Sequence, residues 1–137
     1  MYFDLRTHTR LYTTPDNRLA SMSLGLTFIA YFVSRILASS FAGHWLIMAP
    51  AMIVHAFSAV RLYVLQHDFG HGSMFSKRWQ NDWAGHLVSP FTFAPFEVMK
   101  KNHNLHHAGV GNLDHRDTGE IHTMTLREWE GAGFWQR

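Results

Sequence analysis

The 137-residue sequence contains no cysteine. That absence excludes disulfides, thiolate-held zinc, iron–sulfur clusters and a cysteine nucleophile, so any metal must be held by nitrogen and oxygen donors. Charge of one sign is also scarce: Lys and Arg total 12 against 10 Asp and Glu, a formal net charge of +2. An excess so small, with no arginine-rich stripe, gives no electrostatic footprint for nucleic acid. There is no Gly-rich phosphate loop. The basic start does not lead into a short apolar core with a small-residue cleavage site, so no signal peptide is read there.

What the chain has in excess is histidine, 11 residues with no terminal run that would mark a tag, and aromatic side chains at 15%. Aromatics beside apolar runs suit a membrane protein with interfacial Trp and Tyr. Residues 1–18 are polar and carry Arg6, Arg10 and Arg18. Thr14-Pro15 reads as a helix start, with Thr14 as the N-cap and Pro15 at the first helical position. From Leu19 to Ser39 the residues are almost all apolar or small, with Arg35 the only charge. A short link, Ser40–Gly43, precedes a second such run, His44 to Gln66. Each run is long enough to cross a hydrocarbon core of ~30 Å as a helix.

The expected fold is therefore an all-α membrane protein: a polar N-terminal segment 1–18, a transmembrane helical hairpin 19–66, and a His-rich region 67–137. Both outer ends of the hairpin are flanked by basic residues, Arg6, Arg10 and Arg18 before it and Lys77, Arg78, Lys100 and Lys101 after it. The positive-inside rule then places both ends, and the His-rich region, in the cytoplasm. Residues 84–99 are apolar but interrupted by Pro90 and Pro95 and too short to span, which predicts an interfacial or re-entrant segment. A mean hydropathy of −0.12 leaves a soluble hairpin of core helices as the rival architecture.

Two histidine clusters carry the chemistry. His67-Asp68-Phe69-Gly70-His71 places two imidazoles at i and i+4, on one face of a helix. It differs from the zincin HExxH motif by Asp68 in place of the glutamate. His103-Asn104-Leu105-His106-His107 places three imidazoles at i, i+3 and i+4. Imidazole suits iron, copper, zinc or nickel, so the ligand type alone does not name the metal. Asp68, Asn81, Glu97 and Asp114 are candidates to orient imidazoles through their second ring nitrogen.

HDFGH and HNLHH resemble the first two histidine boxes of the membrane fatty acid desaturase family. The resemblance extends through Arg61–Gln66 before the first box, through Asn81-Asp82-Trp83-Ala84-Gly85, and through the stretch that follows the second box as HHAGVGNLDHRDTGEIHTMTLREWE. It covers roughly residues 55–130 and is closest to the bacterial acyl-lipid, ω-6 (Δ12) branch. The resemblance implies two irons held by histidines of three boxes, here with His67, His71, His103, His106 and His107 as ligands. It also implies O2 as co-substrate, a fatty acyl lipid as substrate, and a ferredoxin or cytochrome b5-type electron donor. The sequence departs from the family at Met99, where a Trp usually precedes the second box, and in lacking a third HxxHH within its 137 residues. Five imidazoles do not fill two iron shells in the family's manner, so the expectation is a desaturase fragment that is inactive alone. The rival readings are a carotenoid or alkane hydroxylase of the same superfamily and a non-catalytic membrane metal-binding piece.

Of the other histidines, His8 and His122 read as solvated and His44 as interfacial. His55 reads as a hydrogen-bonded packing residue inside the second span. His86 has no box spacing, and His115 beside Asp114 is a candidate to support a ligand. Arg61 reads either as a partner for a lipid phosphate or carboxylate or as a snorkelling side chain.

Overall fold

The computed structural model describes residues 9, 13–110 and 123–136. Among these every regular element is an α-helix: α1 Asn17–Ser40, α2 Trp45–His71, α3 Arg78–Thr92, α4 Phe96–Gly109 and α5 Leu126–Gly131. The chain divides into two compact units, residues 1–100 and 101–137.

In the first unit, α1 and α2 form the expected hairpin. The first helix starts later than Thr14-Pro15 suggests. Asp16, not Thr14, is the N-cap, its Oδ1 accepting from the N–H groups of Arg18 (2.8 Å) and Leu19 (3.1 Å). Pro15 thus precedes the cap. A carboxylate brings a negative charge to the positive end of the helix dipole, which a hydroxyl does not.

The buried residues of α1 are Ala20, Thr27 and Ser34, seven apart, and those on the membrane-length part of α2 include Ala51 and Ser58 at the same spacing. Small residues on a seven-residue repeat let two helices approach closely along a seam. Their hydroxyls are bonded back to their own helices, Thr27 to Ser23 O (2.7 Å), Ser34 to Tyr31 O (3.1 Å) and Ser58 to Val54 O (2.7 Å). His55 Nδ1 lies 3.1 Å from Tyr31 O and its ring packs on the Tyr31 ring. Outside this seam the helices are apolar and bare: Leu26 and Ile29 on α1, and Leu46, Ile53 and Phe57 on α2, are all exposed. A core helix of a soluble protein would have these side chains covered. Both helices are long and apolar enough to cross a membrane.

The second helix is longer than the apolar run. It has 27 residues and continues without a break through the first histidine cluster to His71. At 1.5 Å per residue it is about 40 Å long, so roughly 10 Å extends beyond a 30 Å core. Gly72 ends it in the left-handed conformation (φ 71°), which a Cβ would strain. The loop that follows is held by side-chain amides. Asn17 Oδ1 accepts from Ser76 N (2.8 Å). The fully buried Asn81 accepts from Phe75 N (3.0 Å) and donates to Phe75 O (2.8 Å) and Lys77 O (3.1 Å).

Helix α3 buries Asn81, Ala84, Gly85 and Val88, a single face at i, i+3, i+4 and i+7, in a core with Leu62, Leu65 and Phe69 of α2. Residues 84–99, expected as an interfacial or re-entrant piece, comprise the second half of α3, a corner at Phe93–Pro95, and the start of α4. Pro90 lies inside α3 rather than ending it; the helix ends at Thr92, and Phe93 takes φ 55°. The fully buried Gln66 secures this corner. Its Nε2 donates to Ser89 Oγ (2.9 Å) and Ala94 O (2.8 Å), and its Oε1 accepts from Thr92 Oγ1 (2.8 Å). Phe96 then inserts its ring against the backbone of Gly85, which has no Cβ to obstruct it.

In the second unit the described residues form the rest of α4 and the short α5. Thr125 caps α5 through a reciprocal pair of bonds with Glu128, Thr125 N–H to the carboxylate (2.7 Å) and Glu128 N–H to Oγ1 (3.2 Å).

Candidate metal centre

The first cluster occupies the final turns of α2. Because that helix is unbroken, His67 and His71 project from one face and their Nε2 atoms come within 3.3 Å of each other. The rings meet edge to face, centroids 4.6 Å apart. His67 is half-buried and His71 exposed. His67 Nδ1 lies 3.0 Å from Asp68 Oδ1. An ionised carboxylate can only accept, so this bond places the ring proton on Nδ1 and the lone pair on Nε2, which points toward His71.

The second cluster lies on the second half of α4. His103 and His107 repeat the arrangement, with Nε2 atoms 2.9 Å apart and rings perpendicular at 4.4 Å. His106 is the third ring of the group, its centroid 5.8 Å from that of His107 and 6.2 Å from that of His103.

These separations bear on the chemistry of the donor set. An imidazole nitrogen binds a first-row dication at about 2.1 Å, so two cis ligands lie about 3.0–3.4 Å apart. Nitrogens that face each other at 3.3 Å and 2.9 Å match, or fall just inside, that span. Each cluster is therefore a fitting two-point nitrogen claw, and the i, i+4 spacing on a regular helix is what makes it so.

Not every residue singled out in the sequence faces an imidazole of the two clusters. Asn81, expected as a possible imidazole partner, instead has both amide hydrogens and its oxygen engaged with Phe75 and Lys77. Glu97 is directed to His86 (3.4 Å) and Lys100 (3.8 Å), and Lys100 makes its short ion pair with Asp82 (2.8 Å). His44 is the N-cap residue of α2. His8, Asp114, His115 and His122 lie outside the described residues. Sequence reasoning missed Gln66, whose one available signal was a long amide inside an apolar run directly before His67.

A family model described as fatty acid desaturase matches residues 43–137. A fatty acid desaturase of Bacillus subtilis is 30% identical over 122 residues, covering 88% of this chain and 35% of the relative. An sn-1 acyl-lipid omega-3 desaturase (ferredoxin) of Synechocystis is 40% identical over 53 residues, 39% of this chain and 15% of its own length. An sn-1 oleoyl-lipid 12-desaturase of Anabaena variabilis is 33% identical over 70 residues, 51% of this chain and 20% of its own length. The chain thus spans about a third or less of the length of these relatives. No solved structure matches it.

Proposed function

The chain belongs to the fatty acid desaturase family, and from that premise we propose that it supplies the first two histidine boxes of a di-iron acyl-lipid desaturase. In this reading His67, His71, His103, His106 and His107 are iron ligands, and a third box completes the shells. The share of the relatives' length that this chain covers supports a portion of the enzyme rather than the whole of it. The observation that carries the metal assignment is the pairing of Nε2 atoms within each box at the separation of cis ligands.

Bound iron would supply the oxidising power that an unactivated CH2 requires. Every other task belongs to the polypeptide. Asp68 holds the His67 proton on Nδ1 and so directs Nε2 outward. The length of α2 carries the first box beyond the hydrocarbon, at the surface where acyl chains end. The basic residues flanking the hairpin, Arg18 on one side and Lys77 and Arg78 on the other, favour a cytoplasmic setting for both boxes. In the net reaction two hydrogens leave adjacent acyl carbons. With two electrons from the donor and two protons, they reduce O2 to two waters. The names of the Synechocystis and Anabaena relatives support a glycerolipid-bound acyl chain and a ferredoxin-type donor.

The test is metal content. The purified chain is loaded anaerobically with Fe(II), passed over a desalting column and assayed for iron, alongside His71→Ala and His107→Ala. Retained iron that falls in each variant is the expected result. Zinc alone, or no metal, in a chain completed with a third histidine box sinks the desaturase reading in favour of a non-catalytic membrane piece. Fusion of residues 1–137 to the remaining length of the Bacillus subtilis relative, followed by lipid analysis, separates unsaturated from hydroxylated products.

A further inference from the structure

Arg61 sits on an apolar helix face six residues, about 9 Å, before His67. It is exposed, and among the described residues its one hydrogen bond runs from Nη2 to Ser23 Oγ at 3.1 Å, across to α1. A guanidinium offers five N–H donors. Among the described residues no carboxylate pairs with it. Sixteen residues, about 24 Å, separate it from Trp45, which sets its guanidinium near the edge of a ~30 Å hydrocarbon core, at the level of lipid phosphates.

Arg61 also closes one end of a groove between α1 and α2. A cleft of about 350 Å³ is lined by Arg61, Phe57 and Leu26. It shares Leu26, Ala30 and Val54 with a second cleft of about 690 Å³ that runs on to Ile47 and Leu46 near the hairpin turn. Thr27, Ser34 and Ser58 line these clefts, yet each hydroxyl donates to a carbonyl of its own helix. The groove is therefore apolar along its length and cationic at one end. From Arg61 to Ile47 it extends about 21 Å along α2. That exceeds the ~15 Å depth of a single leaflet. It also leads from Arg61 toward the hairpin turn, away from His67 and His71.

We propose that this groove is the seat of a resident phospholipid, with its phosphate on the Arg61 guanidinium and one acyl chain lying along Ala30 and Val54 toward the turn. Charge complementarity names the headgroup chemistry, and the apolar length names the chain. Because the groove leads away from the first box, this lipid is a bound structural partner and not the acyl chain that reacts.

The test is lipid retention by the delipidated chain in mild detergent, read by native mass spectrometry with added dioleoyl phosphatidylglycerol or dioleoylglycerol. The two share acyl chains and differ in the anionic phosphoglycerol headgroup. The expected result is one phosphatidylglycerol retained per chain, with dioleoylglycerol held about tenfold less well, the worth of a charge-assisted bond. Arg61→Gln should abolish that preference and Arg61→Lys should keep most of it. Ala30→Leu, which fills the groove, should lower retention of both lipids. Circular dichroism checks that each variant keeps its helices, and the comparison of two lipids on the unsubstituted chain stands without any variant. Equal retention of the two lipids, or an unchanged preference in Arg61→Gln, overturns the proposal. So does competition by inorganic phosphate without loss on groove filling, or a dimer that buries Ala30 and Val54 against a second copy.

Discussion

Replacing Gly85 by alanine puts two principles in opposition. Gly85 lies inside α3, and on helix propensity alone the substitution should stabilise by up to about 1 kcal/mol. The packing predicts the reverse. A Cβ at Gly85 would fall 2.3–2.5 Å from three atoms of the Phe96 ring, against an ordinary carbon–carbon contact of about 3.5–4.0 Å. The ring must therefore move by more than about 1 Å, yet Phe96 is only 1% exposed and has no room to yield. Overpacking of this kind costs about 1–3 kcal/mol, and expelling the ring would approach the 3–5 kcal/mol of a Phe→Ala change. The expected net loss is about 2 kcal/mol. The assay is equilibrium unfolding in detergent micelles, followed by tryptophan fluorescence and circular dichroism, on Gly85→Ala, Phe96→Ala and the double variant. With the ring gone, Gly85→Ala should be neutral or mildly stabilising, giving a large coupling between the two positions. Equal losses from Gly85→Ala in both backgrounds, or a stabilised single variant, would refute the argument.

Three other substitutions follow from the same structure. Asn81→Ala removes three hydrogen bonds, two of them buried, to the loop after the first box and should destabilise by about 3 kcal/mol in the same unfolding assay, whereas loss of the exposed bond from Asn17 should cost well under half of that. Gln66→Leu leaves Ala94 O and the Thr92 and Ser89 hydroxyls without their buried partner and should cost about 2–4 kcal/mol; a stability equal to the unsubstituted protein would show that the corner is held by packing alone. Asp68→Asn should weaken metal binding about 10- to 100-fold in a direct titration while leaving helicity and stoichiometry intact; unchanged affinity would mean that Asp68 does not orient His67.

Much of this architecture is legible in the order of residues because it depends on local periodicity. The apolar run 19–39 lies within the helix 17–40, and the run 44–66 coincides with the helix 45–71 apart from His44, its N-cap. The spacing of the box histidines translates directly into paired Nε2 atoms, since i, i+4 on a regular helix leaves little else to determine. The sequence suggests Thr14 as the first cap, whereas the structure uses Asp16; the deciding feature, which oxygen reaches Arg18 N and Leu19 N, is a matter of geometry. The continuity of α2 past Gln66 was hidden because polarity rises where the helix leaves the apolar run, while the backbone continues until Gly72. Three features were not legible at all: the Gln66 network, the Asn81 clamp and the Phe96–Gly85 contact. Each joins residues six to 28 positions apart through a single side chain, and no short-range pattern announces such a partner.

The unbroken run of α2 from Trp45 to His71 makes one helix both a membrane-length segment and the mount for two imidazoles, with Pro50 close to its start. Such a helix acts as a lever pivoting near the hairpin turn. Starting from upright, 10° of tilt would carry the far end of a 40 Å helix about 7 Å sideways but lower it by less than about 1 Å. Helices longer than the local hydrocarbon accommodate a thinner bilayer by tilting. Bilayer thickness would then move the first pair of imidazoles along the membrane surface far more than through it. The lipid environment would thereby enter the geometry of the paired imidazoles without touching them.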